Sequence, residues 1–218
     1  MSYPGISGKE HGEMFCYENA VDTVINEQDS YEFIQGILSD NGLHGFTFDA
    51  GSTGSITAWA DASGDVTATS AGHTLAVGDQ VNIAGTTNYN GTYLVKAINV
   101  NDFDITHSWD GDDAEGVFTQ PDCLIVLIAG DYYFNFSCSL RSDGNGKTYK
   151  FELVNNTIHK DDSATERKIG TGSDIGSMGS GGVMTIAVGD RIALQVTSPD
   201  ATVSNITLVH CNVSLIRV

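Results

Sequence analysis

The chain has 218 residues, with 10 Lys and Arg against 28 Asp and Glu and a formal net charge of −18 at neutral pH. That length holds one all-β domain or two smaller ones and excludes a large multidomain enzyme. The charge opposes any grip on nucleic-acid phosphates, so no nucleic-acid partner is expected. Only 17% of residues are charged and 40% are apolar, so the acidity reflects scarce Lys and Arg in a chain that can still build a core. The 25 Gly, with abundant Thr, Ser and Asn, suit strands and turns rather than helices.

The first twenty residues, MSYPGISGKEHGEMFCYENA, lack the basic start and apolar stretch of a secretory signal. The longest apolar run, residues 123–129, is too short to cross a bilayer. The expectation is a soluble protein made in a cytosol, with no membrane partner. Cys16, Cys123, Cys138 and Cys211 form no Cys-x-x-Cys pair, which predicts free thiols, with Cys138 and Cys211 in the core.

Along the chain, residues 1–50 and 51–120 each sum to −8, whereas 121–218 sum to −2. A shift of that size marks the middle segment as a separate, solvent-surrounded unit and frees the C-terminal part to use its surface for other contacts. In the first segment, Asp29 with Glu32 suits a helix cap and Gly42 a helix end, yet Gly36 and its aromatic and β-branched neighbours suit a strand equally. In the middle segment, residues 66–69, 80–83, 93–95 and 103–106 read as short strands, with reversals at Gly78-Asp79 and Asn90-Gly91. These fit a small barrel.

After the barrel the period is two. Tyr132, Phe134, Phe136, Cys138 and Leu140 fall on one face, and Asp131, Asn135, Ser137, Ser139 and Arg141 on the other. Tyr149, Phe151 and Leu153 repeat the pattern, as do Ile192, Leu194 and Val196, and the chain closes with Val209, Cys211, Val213 and Leu215. Residues 142–146 predict a hairpin connection and Gly189-Asp190 a tight reversal. The Gly/Ser run 170–182 predicts a mobile surface loop.

Chemistry is sparse. Lys147-Thr148 after Gly146 lacks the earlier Gly of a phosphate loop, and its flanks read as strands rather than strand and helix. His11, His44, His73, His107, His159 and His210 are isolated, without the paired spacing of a jelly-roll metal site. The acidic turn Asp110-Gly111-Asp112-Asp113 with Glu115 offers oxygen ligands for calcium but not the spacing of a calcium loop, which favours a solvated turn. Trp59, Trp109, Tyr89 and Tyr93 suit a sugar-stacking platform or, more commonly in so small a barrel, its core. No Gly-x-Ser-x-Gly elbow occurs, and no Ser, His and Asp set is tied together by spacing. Catalytic, cofactor-binding and metal-ligating residues are therefore assigned to none, and an enzyme is not expected.

The segments AGDYYFNFS (129–137), YKFELVNN (149–156), MTIAVGDRIALQV (184–196) and LVHCNVSLIRV (208–218) together resemble the trimeric jelly roll of tumour necrosis factor and of the complement collagen-like heads. The shared features are a Gly-x-Tyr-x-Phe strand, an Asn-ended strand, a Gly-Asp turn before an apolar strand, and a C-terminal core strand. The resemblance covers roughly residues 14–50 and 119–218, and it makes residues 13–25 the first strand, which turns the ambiguous stretch towards β. Residues 73–106 resemble the small barrel called the first catalytic cysteine half-domain in ubiquitin-activating enzymes. They contain no cysteine, so this resemblance implies a shared barrel and no ubiquitin chemistry.

The resulting expectation is an all-β, antiparallel jelly-roll sandwich with a small β-barrel inserted: 1–52 as N-terminal arm and first strands, 53–118 as barrel, and 119–218 as the rest of the jelly roll. By analogy, a jelly roll interrupted in this way resembles the decoration (cement) proteins and fibres of tailed bacteriophages. That implies a homotrimeric structural virion protein on the capsid exterior, made in the host cytoplasm, with the major capsid protein as its partner. The alternative is a fibre adhesin that binds host surface carbohydrate. The trimer interface is expected among residues 123–154 and 183–218, with Leu124-Ile125-Val126 as an apolar edge in need of cover.

Overall fold

Period-two alternation is expressed as strands throughout, with no α-helix among the described residues. The computed structural model describes residues 10–19, 22–25, 28–29, 31–39, 42–113, 115–170 and 174–218. The chain divides into two compact units, one of Met1–Ala50 with Asp122–Val218 and one of Gly51–Pro121. The first nine residues, where the N-terminal arm is expected, lie outside the described residues.

In the first unit, β1 (His11–Tyr17), β2 (Asp22–Thr23), β3 (Glu32–Phe33) and β4 (Phe46–Asp49) come before the second unit. The second unit holds β5 (Thr53–Ile56), β6 (Ala58–Asp61), β7 (Val66–Thr69), β8 (Gln80–Ala84), β9 (Gly91–Ile98), β10 (Asp102–Ile105) and β11 (Gly116–Thr119). The first unit resumes with β12 (Cys123–Val126), β13 (Gly130–Ser142), β14 (Lys147–Asn155), β15 (Ile158–His159), β16 (Thr165–Ile169), β17 (Gly176–Ile186), β18 (Arg191–Thr197) and β19 (Ile206–Arg217).

One sheet of the first unit runs β1-β19-β13-β17, with β2 on β19. The other runs β15-β14-β18-β12-β4, with β16 on β14 and β3 on β18. From β12 to β14, and again from β16 to β19, consecutive strands alternate between the sheets, and the strand pairings among the described residues are antiparallel. This is jelly-roll connectivity. Between the sheets, Phe134, Phe136 and Leu140 of β13 pack with Tyr149, Phe151 and Leu153 of β14 and with Leu194 and Val196 of β18. The second unit is a seven-stranded sheet, β5-β11-β8-β9-β10-β7-β6, curled nearly closed around Trp59, Val81, Tyr89, Phe103 and Phe118. Its Gly78 reversal needs φ of +90°, and Asp79 locks it by accepting from the Ala76 N–H at 2.7 Å.

Five local expectations need correction. The Gly/Ser run is no loop from Gly176 onward: β17 pairs with β13 residue by residue, from Leu140 opposite Gly176 to Gly130 opposite Ile186. Its glycines answer to space rather than mobility. A Cβ at Gly179 would lie 2.7 Å from the Phe136 carbonyl oxygen, and one at Gly182 would lie 2.9 Å from the Phe134 ring. Residues 142–146 do not join a hairpin, because β13 and β14 belong to different sheets; the chain crosses the sandwich there. Val209 is not in the inward set: Ser139 pairs with His210 but Leu140 with Leu208, so Val209 is the extra residue of a bulge, which puts Leu208 and Ile206 inward. Leu124-Ile125-Val126 is no exposed edge, since β12 lies between β18 and β4 and both Leu124 and Val126 are fully buried. Residues 13–25 are not one first strand: β1 runs His11–Tyr17 and the short β2, Asp22–Thr23, is separate, while the 29–42 stretch, where described, holds the short β3 and a bridge from Leu38 to Phe15, in line with its reading as β.

Candidate functional site

The sheet β1-β19-β13-β17 sends its apolar set into the sandwich, and that leaves the opposite set facing outward. On β13 the outward positions run Asp131, Tyr133, Asn135, Ser137, Ser139 and Arg141; on β17 they run Ser177, Gly179, Gly181, Val183 and Thr185. On β19 they include Asn212, Ser214 and Ile216. In a chain of net charge −18, the centre of this face carries no Asp, Glu, Lys or Arg: Asp131 and Arg141 stand at the two ends of β13. Glu13, on β1, is engaged by the Asn212 side-chain amide, which donates to it.

One row across the face is apolar: Tyr133 stands opposite Val183 on one side and Ile216 on the other. Tyr133 is 45% exposed and Val183 55%. Gly181 leaves room for the Tyr133 ring, whose hydroxyl lies 3.1 Å from where a Cβ would stand. At the far edge Tyr17 meets His210 edge to face at 4.8 Å. The face is thus low in charge, small in relief and partly aromatic, the composition expected where a second protein surface covers the first.

The residues singled out by sequence fall elsewhere. In the second unit Tyr89 is fully buried and Trp59 nearly so, with ring centroids 4.6 Å apart. Trp109 stacks on Tyr89 at 6.1 Å, and Tyr93 and Trp109 remain partly buried against this core. The cluster is core first, with two ring edges at the surface. The acidic turn is tied to it: the Tyr89 hydroxyl donates to the Gly111 carbonyl at 2.6 Å and accepts from the Asp110 N–H at 3.1 Å. Asp113 accepts from the amides of Thr87 and Asn88 at 2.9 and 2.6 Å, so its carboxylate closes a loop. Among the described residues no three His, Cys, Asp or Glu side chains gather to hold a metal ion.

Two of the histidines are brought together: His11 and His44 stand opposite one another with reciprocal backbone hydrogen bonds of 2.8 and 3.0 Å. His73 donates from Nε2 to the Asp102 carbonyl at 3.0 Å, and His107 from Nδ1 to the Ser108 carbonyl at 2.7 Å. Lys147 donates to the Thr202 carbonyl, and the Thr148 N–H donates to Asp200 at 2.6 Å. That segment is strand β14.

Sequence reasoning missed one charged network. Glu152 on β14 is fully buried, with Lys150 Nζ 2.9 Å from one carboxylate oxygen and His159 Nδ1 against the other. Lys150 also donates to the Tyr31 hydroxyl at 2.9 Å. Burial works to raise the Glu152 carboxyl, but the hydrogen bonds from His159 and Lys150 outweigh it and hold the group below the ordinary carboxylate range. The Tyr31 bond, then Glu152, keeps Lys150 well above the usual ammonium range. The signal in the sequence is a lone acid between Phe151 and Leu153 in a strand that otherwise reads as core.

No protein-family model and no curated protein matches this chain. Among solved structures, it is similar to the insecticidal delta-endotoxin Cry8Ea1 of Bacillus thuringiensis, at 8% identity and a TM-score of 0.29, over 96% of this chain and 53% of the toxin. It is also similar to infectious bursal disease virus, Gx strain, at 10% identity and a TM-score of 0.27, over 98% of this chain and 68% of the viral one. The chain spans about half the length of the toxin. Neither superposes closely enough to inform the function.

Proposed function

We propose that this chain is a structural protein of a virus particle, a homotrimer that decorates the outside of a tailed-phage capsid and braces neighbouring capsomers. The observation that carries the reading is the charge-poor outward face of β1-β19-β13-β17 on a chain of net charge −18. Acidic copies that associate must first remove like charge from the contact, and here the acids stand at the rim. Three copies around one axis would bury Tyr133, Val183 and Ile216 against one another. The work of the protein is then burial and shape, with no catalytic step. The capsid role is supported by the resemblance of an interrupted jelly roll to virion proteins.

Light scattering tests the first half: a mass three times the 23.1 kDa chain is expected. Asn135→Glu with Ser137→Glu adds two acids at the centre of the face, where both side chains are exposed and folding does not need them. The doubly substituted chain is expected to be a folded monomer, and a wild-type monomer at micromolar concentration overturns the reading. Cryo-electron microscopy of particles tests the second half, with copies expected at three-fold positions of the capsid.

A second reading is a fibre adhesin for host carbohydrate, favoured by the partly exposed Tyr93 and Trp109. Density at a fibre tip instead of the capsid lattice would select it.

A further inference from the structure

A row of sulfur-bearing side chains crosses the first sheet. Cys16 on β1 stands opposite Cys211 on β19, Cys211 opposite Cys138 on β13, and Cys138 opposite Met178 on β17. All three cysteines are free and almost wholly buried. The backbone N–H and C=O of Phe15 both bond to Leu38 on the outer side of β1, so those of Cys16 face β19. Opposed residues in such a hydrogen-bonded antiparallel pair have Cα atoms about 5.5 Å apart, inside the roughly 4.4–6.8 Å that a disulfide spans.

The three thiols are chemically distinct. The hydrogen bond from Cys211 holds Cys16 below the ordinary thiol range, and the same contact with burial puts Cys211 well above it. Burial pushes Cys138 up to about 12. Cys16 is therefore the thiol with most thiolate character, Cys211 is its hydrogen-bonded neighbour, and Cys138 stays protonated. On the outward side of the same row, Ser137, Ser177 and His210 line an open groove of about 360 Å³, while the cysteine side chains belong to the core on the other side of the sheet.

We infer that Cys16 and Cys211 form a reversible oxidation site, in which hydrogen peroxide converts the thiol pair into a cross-strand disulfide joining β1 to β19. The Cys16 thiolate attacks one peroxide oxygen, the O–O bond breaks, and a sulfenic acid forms as the first water leaves. The Cys211 sulfur then attacks the sulfenic sulfur, the S–S bond forms and the S–OH bond breaks, releasing a second water. The two thiols lose two electrons and two protons, and the peroxide is reduced to two waters. A thiol reductant reverses the step. The bond would tie the first strand to the last, and it does not depend on the virion reading.

The test uses the full-length wild-type chain and hydrogen peroxide. After oxidation the protein is unfolded in excess alkylating agent and mapped by mass spectrometry. The expected result is a loss of two of the four alkylatable thiols, one linked peptide pair containing Cys16 and Cys211, alkylated Cys123 and Cys138, and full recovery of labelling after dithiothreitol. A Cys138–Cys211 link, an intermolecular link, or four alkylated or over-oxidised thiols overturns the inference. Cys138→Ser is expected to keep the two-thiol loss and Cys16→Ser to abolish it. The wild-type map decides the matter even if a variant fails to fold.

Discussion

The Glu152 network makes an unequal prediction for its two charges. Lys150→Met leaves the Glu152 carboxylate with 0% side-chain exposure and only the His159 imidazole beside it. Breaking a buried ion pair in this way costs about 3–5 kcal/mol, because the remaining charge has no water to return to, and His159 reduces the cost towards about 3. Glu152→Gln is different. Lys150 and His159 have 28% and 35% of their side chains exposed, so both recover hydration, and the cost of burying a carboxylate disappears with it. The loss of two charge-assisted hydrogen bonds, each about 1.5–3 kcal/mol, is then largely offset, leaving about 1 kcal/mol. For a chain of this length each kcal/mol shifts the melting temperature by about 2–4 °C.

Urea unfolding at fixed protein concentration measures both values, since self-association would otherwise add stability by mass action. The double substitution is expected to cost less than Lys150→Met alone, because it removes the stranded carboxylate. If Glu152→Gln costs as much as Lys150→Met, or if the double substitution costs their sum, the buried charge is not what the lysine serves.

Three further outcomes follow from the same structure. Because the Glu152 carboxyl is held below the ordinary carboxylate range, its contribution is present above the unfolded pKa and lost as pH falls through the folded one; wild type should lose more stability than Glu152→Gln between pH 7 and pH 3 in paired melts. Gly182→Val places a side chain against the Phe134 ring and should cost about 1–3 kcal/mol by overpacking; an unchanged urea midpoint would show that the ring yields freely. Replacement of residues 51–121 by an Asn-Gly turn should leave β4 and β12 paired and preserve the number of copies per particle seen by light scattering, and loss of folding would show that the first unit depends on the second.

The strands were legible where inward and outward sets differ in chemistry. Tyr132 to Leu140 alternate with polar neighbours, and that contrast alone gives their register on the core. It failed at Val209, because a bulge changes parity without changing composition. It failed again at β17, where glycine signals mobility in a local reading but here answers to the Phe134 ring and the Phe136 carbonyl across the sheet. β18 is buried on both faces, so the period read from Ile192, Leu194 and Val196 did not separate core from surface, and Ala193 and Gln195 between them are buried as well. Glu152 and His159 lie seven residues apart on paired strands, and only the sheet brings them, with Tyr31, to one point. The outward face was written in Asn135, Ser137, Ser214 and Gly181, yet its emptiness of charge emerges only when three strands are laid side by side.

The chain passes between its units where each is already closed. In the first unit β4 and β12 are antiparallel neighbours, with Asp49 opposite Cys123. In the second, β5 and β11 are neighbours, with Thr53 opposite Thr119, and the Gln120 N–H donates to the Ser52 carbonyl at 2.7 Å. Each unit therefore presents its two crossing ends side by side, the arrangement a hairpin turn needs. A folded unit placed there spans ends that the jelly roll has already brought together, so it adds little loop-closure entropy to the folding of the host. Charge follows the same division: residues 51–120 carry −8 and residues 121–218 only −2. The segment with few excess acids is the one that supplies β13, β17 and β19. That low net charge comes from eight bases balancing ten acids, not from a lack of charged residues; the charge-poor sheet face is instead a matter of placement, because the centres of β13, β17 and β19 carry none of them on their outward sides.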